Sequence, residues 1–405
     1  MATRTPTIAR SVAAFFFMFV GPLSAAAQAL TIEDVEERAQ TVSLVEGLLE
    51  ERQLALESDA ALERRFAPGQ VQYGHEQVFG DDIVGYVQGS LLYEQPFDLV
   101  AWRADARQAT HLRSEALSAQ QAAQVRDTRT AARFAFYENL HIQSRIEALE
   151  RWQSRLVQAL ERATLLQTRG EIAPLDVMRL QQQAALVSTR LAHEESALAS
   201  AASELAEVLR LDSQPTVTGT LLPEPLQQSD SQDTPEIVEL NALLQALDAE
   251  RAANRSPFLR QWVIAGGFRF SQVANSFGQG VVVSLTVPLD TRNTQRLVHQ
   301  RIDALAELQS REVQRVRQVQ SAAIARATAQ YQHALQTLQS LSINHDASLL
   351  ELTERAMAAG EITLTEWLDI HENEAEIQLG LLAIEYECRR SAIALAHLSF
   401  QGEIE

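Results

Sequence analysis

The 405-residue chain is 46% hydrophobic and 21% charged, too apolar for a disordered protein and long enough for two or three ordinary domains. Its 53 acidic residues outweigh 34 basic ones, all arginine, and the net charge of −19 argues against a nucleic-acid partner, which needs a basic face. Cys388 is the sole cysteine, so an intramolecular disulfide is excluded; its place in a helical apolar stripe fits a small, inert core residue.

In chain order, Arg4 and Arg10 precede the apolar run SVAAFFFMFV, and Ala27-Gln28-Ala29 supplies a small-x-small cleavage site. Residues 1–29 therefore fit a secretory leader, the run being well under the ~20 apolar residues of a membrane span. A helical stretch follows at Ile32–Arg65, then two short alternating segments, GQVQYGHEQV and GYVQGSLLYEQP, around the turn FGDD. Arg103–Thr168 contains neither Pro nor Gly and predicts one helix of roughly 100 Å, which needs other long helices beside it. Its apolar residues Ile142, Ile146, Leu149, Leu156, Leu160 and Ala163 step by threes and fours.

The phrase RGEIAPLDVM at Arg169–Met178 ends that helix, and Leu175–Arg210 begins the next. This helix carries two stripes, Val187, Leu191, Leu198, Leu205 and Val208 on one face and Ala185, Ala192, Ala199 and Ala206 on another, as suits a helix with packed neighbours on both sides. Residues 213–234, rich in Pro, Ser, Gln and Asp, form an irregular connector. A helix at Pro235–Arg255 leads to two more alternating segments, QWVIAGGFRFSQV and GVVVSLTVPLD, around the turn ANSFGQG. Arg292–Ala358 again lacks Pro and Gly, with Ala327, Tyr331, Ala334, Leu338 and Leu341 along one stripe. Then AGEITLTEWL at Ala359–Leu368 repeats the earlier turn phrase, and Leu364–Phe400 closes the chain with the stripe Ile377, Leu381, Ile384, Cys388, Leu395 and Leu398.

Gly170 and Gly360 lie 190 residues apart, each followed by Glu-Ile and by a carboxylate six residues on, Asp176 and Glu366. A duplicated architecture explains this better than a catalytic motif. Residues 30–212 and 235–405 are two copies of helix, hairpin, long helix and helix. In each copy two short helices, end to end, can lie along one long helix; their lengths sum roughly to it in the first copy and fall somewhat short in the second.

Alternation in the four strands puts Val87, Leu91 and Tyr93, Trp262, Ile264, Phe268 and Phe270, and Val283 and Leu285 on apolar faces, with polar residues opposite. Segments of about ten residues with this pattern suit transmembrane β-strands, in which these side chains face lipid, and equally suit soluble hairpins. Lipid does not tolerate open strand edges, and four strands are too few to close a barrel, so a membrane role requires several chains; three would give twelve strands.

The chain resembles the outer-membrane efflux protein family, the TolC type of channel, in its LTIEDVEERA opening, its strand-to-helix junctions YEQPFDL and LTVPLDT, its two Gly-x-x-x-x-x-acid turns and its doubled plan. The resemblance implies a mainly α fold with a small β part. Long antiparallel coiled-coil helices would form a trimeric α-barrel, and four transmembrane β-strands per chain would make a twelve-stranded barrel in the outer membrane. It implies a homotrimer that reaches into the periplasm, a periplasmic adaptor (membrane fusion) protein, an inner-membrane pump of RND or ABC type, and no cofactor. The turns Gly170, Glu171, Ile172 and Gly360, Glu361, Ile362 would then lie at the periplasmic mouth, where the adaptor docks, with Asp176, Glu366 and Asp369 ringing the entrance. Where family members carry a mouth-closing Arg and Tyr, this chain has Ile362 and Met357, and Trp367 is unusually bulky beside Glu366.

Signals for catalysis are missing. HENEAE at His371–Glu376 lacks the second His of a zinc site, with His371 and Glu372 expected to face solvent; Gly266-Gly267 lies inside a strand, and the nine His are scattered. Two readings differ in class: an outer-membrane exit duct for a tripartite efflux or type I secretion system, and a periplasmic coiled-coil scaffold or adaptor that never spans that membrane.

Overall fold

A computed structural model of the chain describes residues 29–44, 48–64, 68–80, 83–97, 102–222, 233–255, 262–273, 276–287, 292–344 and 348–399. The expected leader lies outside the described residues except for Ala29. The elements run α1 (Ile32–Leu44), α2 (Leu48–Arg64), β1 (Gln70–Gly80), β2 (Ile83–Phe97), α3 (Trp102–Thr168), α4 (Pro174–Leu209), α5 (Pro235–Ala253), β3 (Trp262–Val273), β4 (Ser276–Thr286), α6 (Arg292–Asn344), α7 (Ser348–Ala359) and α8 (Leu364–Leu398). Two long helices were expected. The first is α3, of 67 residues and about 100 Å, and the second is described in two parts, α6 and α7.

Helix α3 is the axis of the helical layer. Three clusters line it from the sheet downward. Near its start, Ala109 and Leu112 meet Ala246 and Ala249 of α5. In its middle, Ala132, Ala135, Phe136 and Leu140 pack with Val35 and Ala39 of α1, Leu205 and Leu209 of α4, and Ile393 of α8. At its end, Leu149, Trp152, Leu156 and Ala163 pack with Val177, Leu180 and Val187 of α4 and with Trp367 and Leu368 of α8. Arginines of α3 fasten the same neighbours: Arg133 to Glu36 at 2.6 Å, Arg145 to the buried Glu194 at 2.5 Å, Arg113 to Glu250 at 2.5 Å, and Arg126 to Glu236.

That pattern corrects one expectation. Helix α5 was placed against the second long helix alone, yet it also packs along α3, because alanines on both sides let the backbones approach and two Arg–Glu pairs span the contact. The connector is fastened too. Leu30 and Val217 form a parallel bridge, and Arg389 of α8 donates to the carbonyls of Leu221 and Leu222 while lying 4.4 Å from the Tyr137 ring.

The four strands make one antiparallel sheet in the order β1-β2-β3-β4, so the two expected hairpins are joined through β2 and β3. Strand β4 begins at Ser276, four residues before the expected start, and most of the expected turn ANSFGQG is strand. Gly278 and Gly280 sit opposite Ser271 and Arg269 of β3, and a Cβ at Gly278 would lie 3.1 Å from Ser271 Oγ.

Candidate functional site

The register shows which side chains share a face of the sheet. Tyr73 pairs with Leu91, Leu91 with Phe268, and Phe268 with Val281; one level on, Val71, Tyr93, Gly266 and Val283 align. Ile264 pairs with Leu285, Phe97 with Trp262, and Val87 lies on this face opposite Gln272. All nine apolar strand residues expected on one face therefore occupy it. Their exposure is high for such side chains: Val283 is 76% exposed and Phe268 69%. Sequence reasoning omitted Val71, Tyr73 and Phe277 from this face, although alternation within β1 and β4 marks each of them. The other face carries Gln72, Glu76, Gln88, Ser90, Glu94, Arg269, Ser271, Ser284 and Thr286. Phe270 folds its ring over Gly89, where a Cβ would lie 2.0 Å from the ring, and so covers the backbone that Gly89 leaves bare. Trp262 packs edge-on to Phe97 at 6.3 Å, at the end of the sheet nearest the helices.

At the far end of α3, the two glycine turns have the same backbone. Gly170 and Gly360 take φ of 75° and 74°, the left-handed region that glycine enters without penalty. Glu171 N–H donates to Leu166 O at 3.0 Å, and Glu361 N–H to Ala356 O at 2.9 Å, so both helices end in a Schellman motif. Asp176 and Glu366 each stand at the third position of the helix that follows. Glu366 accepts from Thr363 N–H at 2.8 Å and from its Oγ1 at 2.9 Å, and these bonds hold its carboxyl below the ordinary carboxylate range. Asp369 is exposed one turn later, Asp176 is half-buried, and Glu171 and Glu361 are exposed. Arg179 to Thr365 at 3.3 Å, at the helix starts, and Arg190 to Glu376 at 2.6 Å, farther along, join α4 and α8.

No family model matches this sequence, and no curated protein matches it either. Solved structures do. CusC, described for conformational changes accompanying folding and transmembrane channel formation, superposes with a TM-score of 0.71 at 14% identity, covering 91% of this chain and 92% of its own. The outer membrane channel CmeC of Campylobacter jejuni matches at a TM-score of 0.65 and 11% identity, over 92% of this chain and 87% of that one. MtrE of Neisseria gonorrhoeae, an outer membrane channel in its open state, matches at 0.64 and 14%, over 91% and 88%. The chain has the fold of an outer-membrane channel.

Against that fold, two local expectations need correction. His371 does not face solvent: it is 1% exposed, stacked on Trp152 of α3 at 5.8 Å and leaning on Trp367 at 4.2 Å. The predicted α8 stripe begins at Ile377, which is 46% exposed; the buried line runs instead through Trp367, His371 and Glu374. Trp367 fills the space between the hairpins, its Nε1 donating to Glu354 of α7 at 3.2 Å. Met357 and Trp367 line a cleft of about 350 Å³ with Arg155, Arg162 and Ile172, and Ile362 packs on the same apolar cluster. This aromatic and histidine cluster is the part of the channel fold that sequence reasoning missed. The spacing of Trp367, His371 and Glu374, at i, i+4 and i+7, was its only signal. Cys388 is fully buried, as expected, and burial pushes its thiol up.

Proposed function

We propose that three copies of this chain form an outer-membrane exit duct that carries cargo from the periplasm to the exterior. The sheet carries this reading. It is open at both edges, β1 and β4, and its apolar face is bare, so a neighbouring copy must cover the edges and something apolar must cover the face. Pairing β4 of one copy with β1 of the next closes twelve strands. From Trp262 to Gln272 the face spans ten steps, about 33 Å of strand or about 25 Å at the ~40° tilt of such barrels, the height of their apolar band. Among the described residues no helix is long and apolar enough to cross a membrane, which leaves spanning to the strands.

In this duct Val87, Leu91, Tyr93, Trp262, Ile264, Phe268, Phe270, Val283 and Leu285 meet lipid. The turns Gly170–Ile172 and Gly360–Ile362 form the periplasmic rim that receives an adaptor protein, which links the duct to an RND or ABC pump. The secretory leader supports export to that location. Asp176, Glu366 and Asp369 become rings of three carboxylates each at the rim, which attract cations.

Membrane fractionation and single-channel recording test the reading together. Heat-modifiable trimers in the outer-membrane fraction and ohmic conductance in planar bilayers are the expected results; wash-soluble periplasmic protein without conductance would assign the chain to a scaffold. The combined change Asp176→Asn, Glu366→Gln and Asp369→Asn is expected to lower cation-over-anion permeability several-fold in a reversal-potential measurement. An unchanged reversal potential would reduce these acids to helix-end stabilisers.

A further inference from the structure

Three histidines lie along one seam of the molecule, where α3 of the first repeat packs antiparallel to α8 of the second. On α3 the contacts fall at Thr130, His141 and Trp152, each 11 residues or about three turns from the next, and on α8 at His397, Tyr386 and His371. His141 is 7% exposed and stacks parallel on Tyr386, with centroids 4.6 Å apart, and its buried Nδ1 has no hydrogen bond among the described residues. Nδ1 of the buried His371 has no hydrogen bond among the described residues, and Nε2 lies 3.2 Å from Glu354 Oε1. His397 shares a hydrogen bond with Thr130 Oγ1 at 3.0 Å and lies 3.8 Å from Asp127. A stacked, desolvated imidazole without hydrogen bonds packs well only while neutral.

We infer that this seam is a proton-sensitive hinge: protonation of His141 and His371 separates α8 from α3 and loosens the end of the molecule that carries the glycine turns. Charged neighbours grade the response. Beside His141 stands Arg145 of α3, which is paired with Glu194 of α4. His371 faces Glu354 of α7, Glu374 of α8 and Arg155 of α3, while His397 faces Arg126 and Asp127 of α3 and Glu236 of α5. Burial lowers the proton affinity of all three, and His141, with Arg145 adding to the effect, falls to about 4. The unfolded or detached imidazole titrates near 6.5 and so binds protons more readily than the packed one. Packing at the seam is therefore complete above about pH 6.5 and weakens as the pH falls from there toward the packed-state values, for His141 toward about 4.

The duct reading enters only the consequence that the loosened end is the periplasmic mouth. The seam itself is tested in the full chain with spin labels at Glu150→Cys of α3 and Asn373→Cys of α8, both exposed positions, with the native Cys388 buried. Pulsed electron resonance is expected to show the inter-label distance lengthening reversibly between pH 7.5 and pH 4.5. In the added background His141→Leu and His371→Leu, the pH 7.5 distance should persist at both values. An unchanged distance in the unsubstituted background overturns the inference, as does equal lengthening in the Leu background, which would assign the acid response to carboxylates. Should the double Leu background not fold, His141→Phe, which keeps the stack on Tyr386, is expected to reduce the lengthening by half or more; full lengthening there overturns the proposal. Conductance at pH 7.5 is unaffected by the seam, so loss of conductance there counts against the duct alone.

Discussion

The two glycine turns share a backbone and differ in how they are fastened. Both end a helix with a left-handed glycine and the same carbonyl pairing, and both place an acid at the third residue of the next helix. Beyond that the halves diverge. At the offset of 190 residues, Val177 stands where the second half has Trp367, Gln181 where it has His371, and Arg179 where it has Asp369. The first turn thus leads into a helix held by aliphatic packing on α3, whereas the second leads into a helix clamped by Trp152, Trp367 and His371 and by Glu354 of α7. Duplication preserved the bend, which chain geometry requires, and left the fastening free to change.

Removing the clamp is the most severe way to break this comparison. Trp367→Ala deletes a side chain only 4% exposed and its bond to Glu354, and should cost about 3–5 kcal/mol. Val177→Ala, at the matching site and 5% exposed, removes the equivalent of two methylenes and should cost about 1.5 kcal/mol at ~0.8 each. Urea unfolding at fixed protein concentration measures both. Equal midpoint shifts would show that the aromatic clamp adds nothing to the aliphatic packing.

The glycines should behave alike where the clamps do not. Gly170→Ala and Gly360→Ala each force a Cβ into the left-handed region, at roughly 1–2 kcal/mol. A Cβ meets nothing within 4 Å at either position, so strain is the whole cost in both. Midpoint shifts differing by more than about 0.5 kcal/mol would mean that the two bends are not equivalent, the scatter allowed for independent sites.

Legibility in the sequence followed the range of the interaction that decides each feature. Local rules gave the helix ends closely: Leu175–Arg210 was expected and Pro174–Leu209 is observed, because Gly170, Pro174 and the acid at the third position mark that start. The sheet faces were legible for the same reason, since alternation along Trp262–Phe270 is a local signal. The pairing of β2 with β3 was not, because the strands come from different halves and nothing near Leu91 specifies Phe268. His371 failed likewise. Within HENEAE a histidine between polar residues has every sign of an exposed position, and only Trp152, 219 residues earlier, and Glu354 supply the environment that buries it. Ile377 was misplaced in turn, because α8 turns its histidine side, not its isoleucine side, toward α3.

The gentlest test concerns the residue just before each following helix. Thr363 and Glu366 form a reciprocal capping box, whereas Ala173 offers no side chain to the start of α4 and relies on Pro174 at the first helical position. Thr363→Ala should therefore cost about 1 kcal/mol. Ala173→Thr should gain about 0.5 kcal/mol, less than the full value of a cap because Asp176 is one methylene shorter than Glu366 for the return bond. The backbone at Ala173, φ −76° and ψ 143°, already matches that of Thr363 at −78° and 160°, so threonine enters without rearrangement. The Glu366 part of the cap is also pH-dependent. Its carboxyl is held below the usual 4.5, so the stabilisation is full above that value and is lost as the pH falls through the lowered one. A Thr363→Ala effect that persists undiminished well below pH 4 would mean that the hydroxyl alone caps α8, leaving the acid at the third position free for the rim.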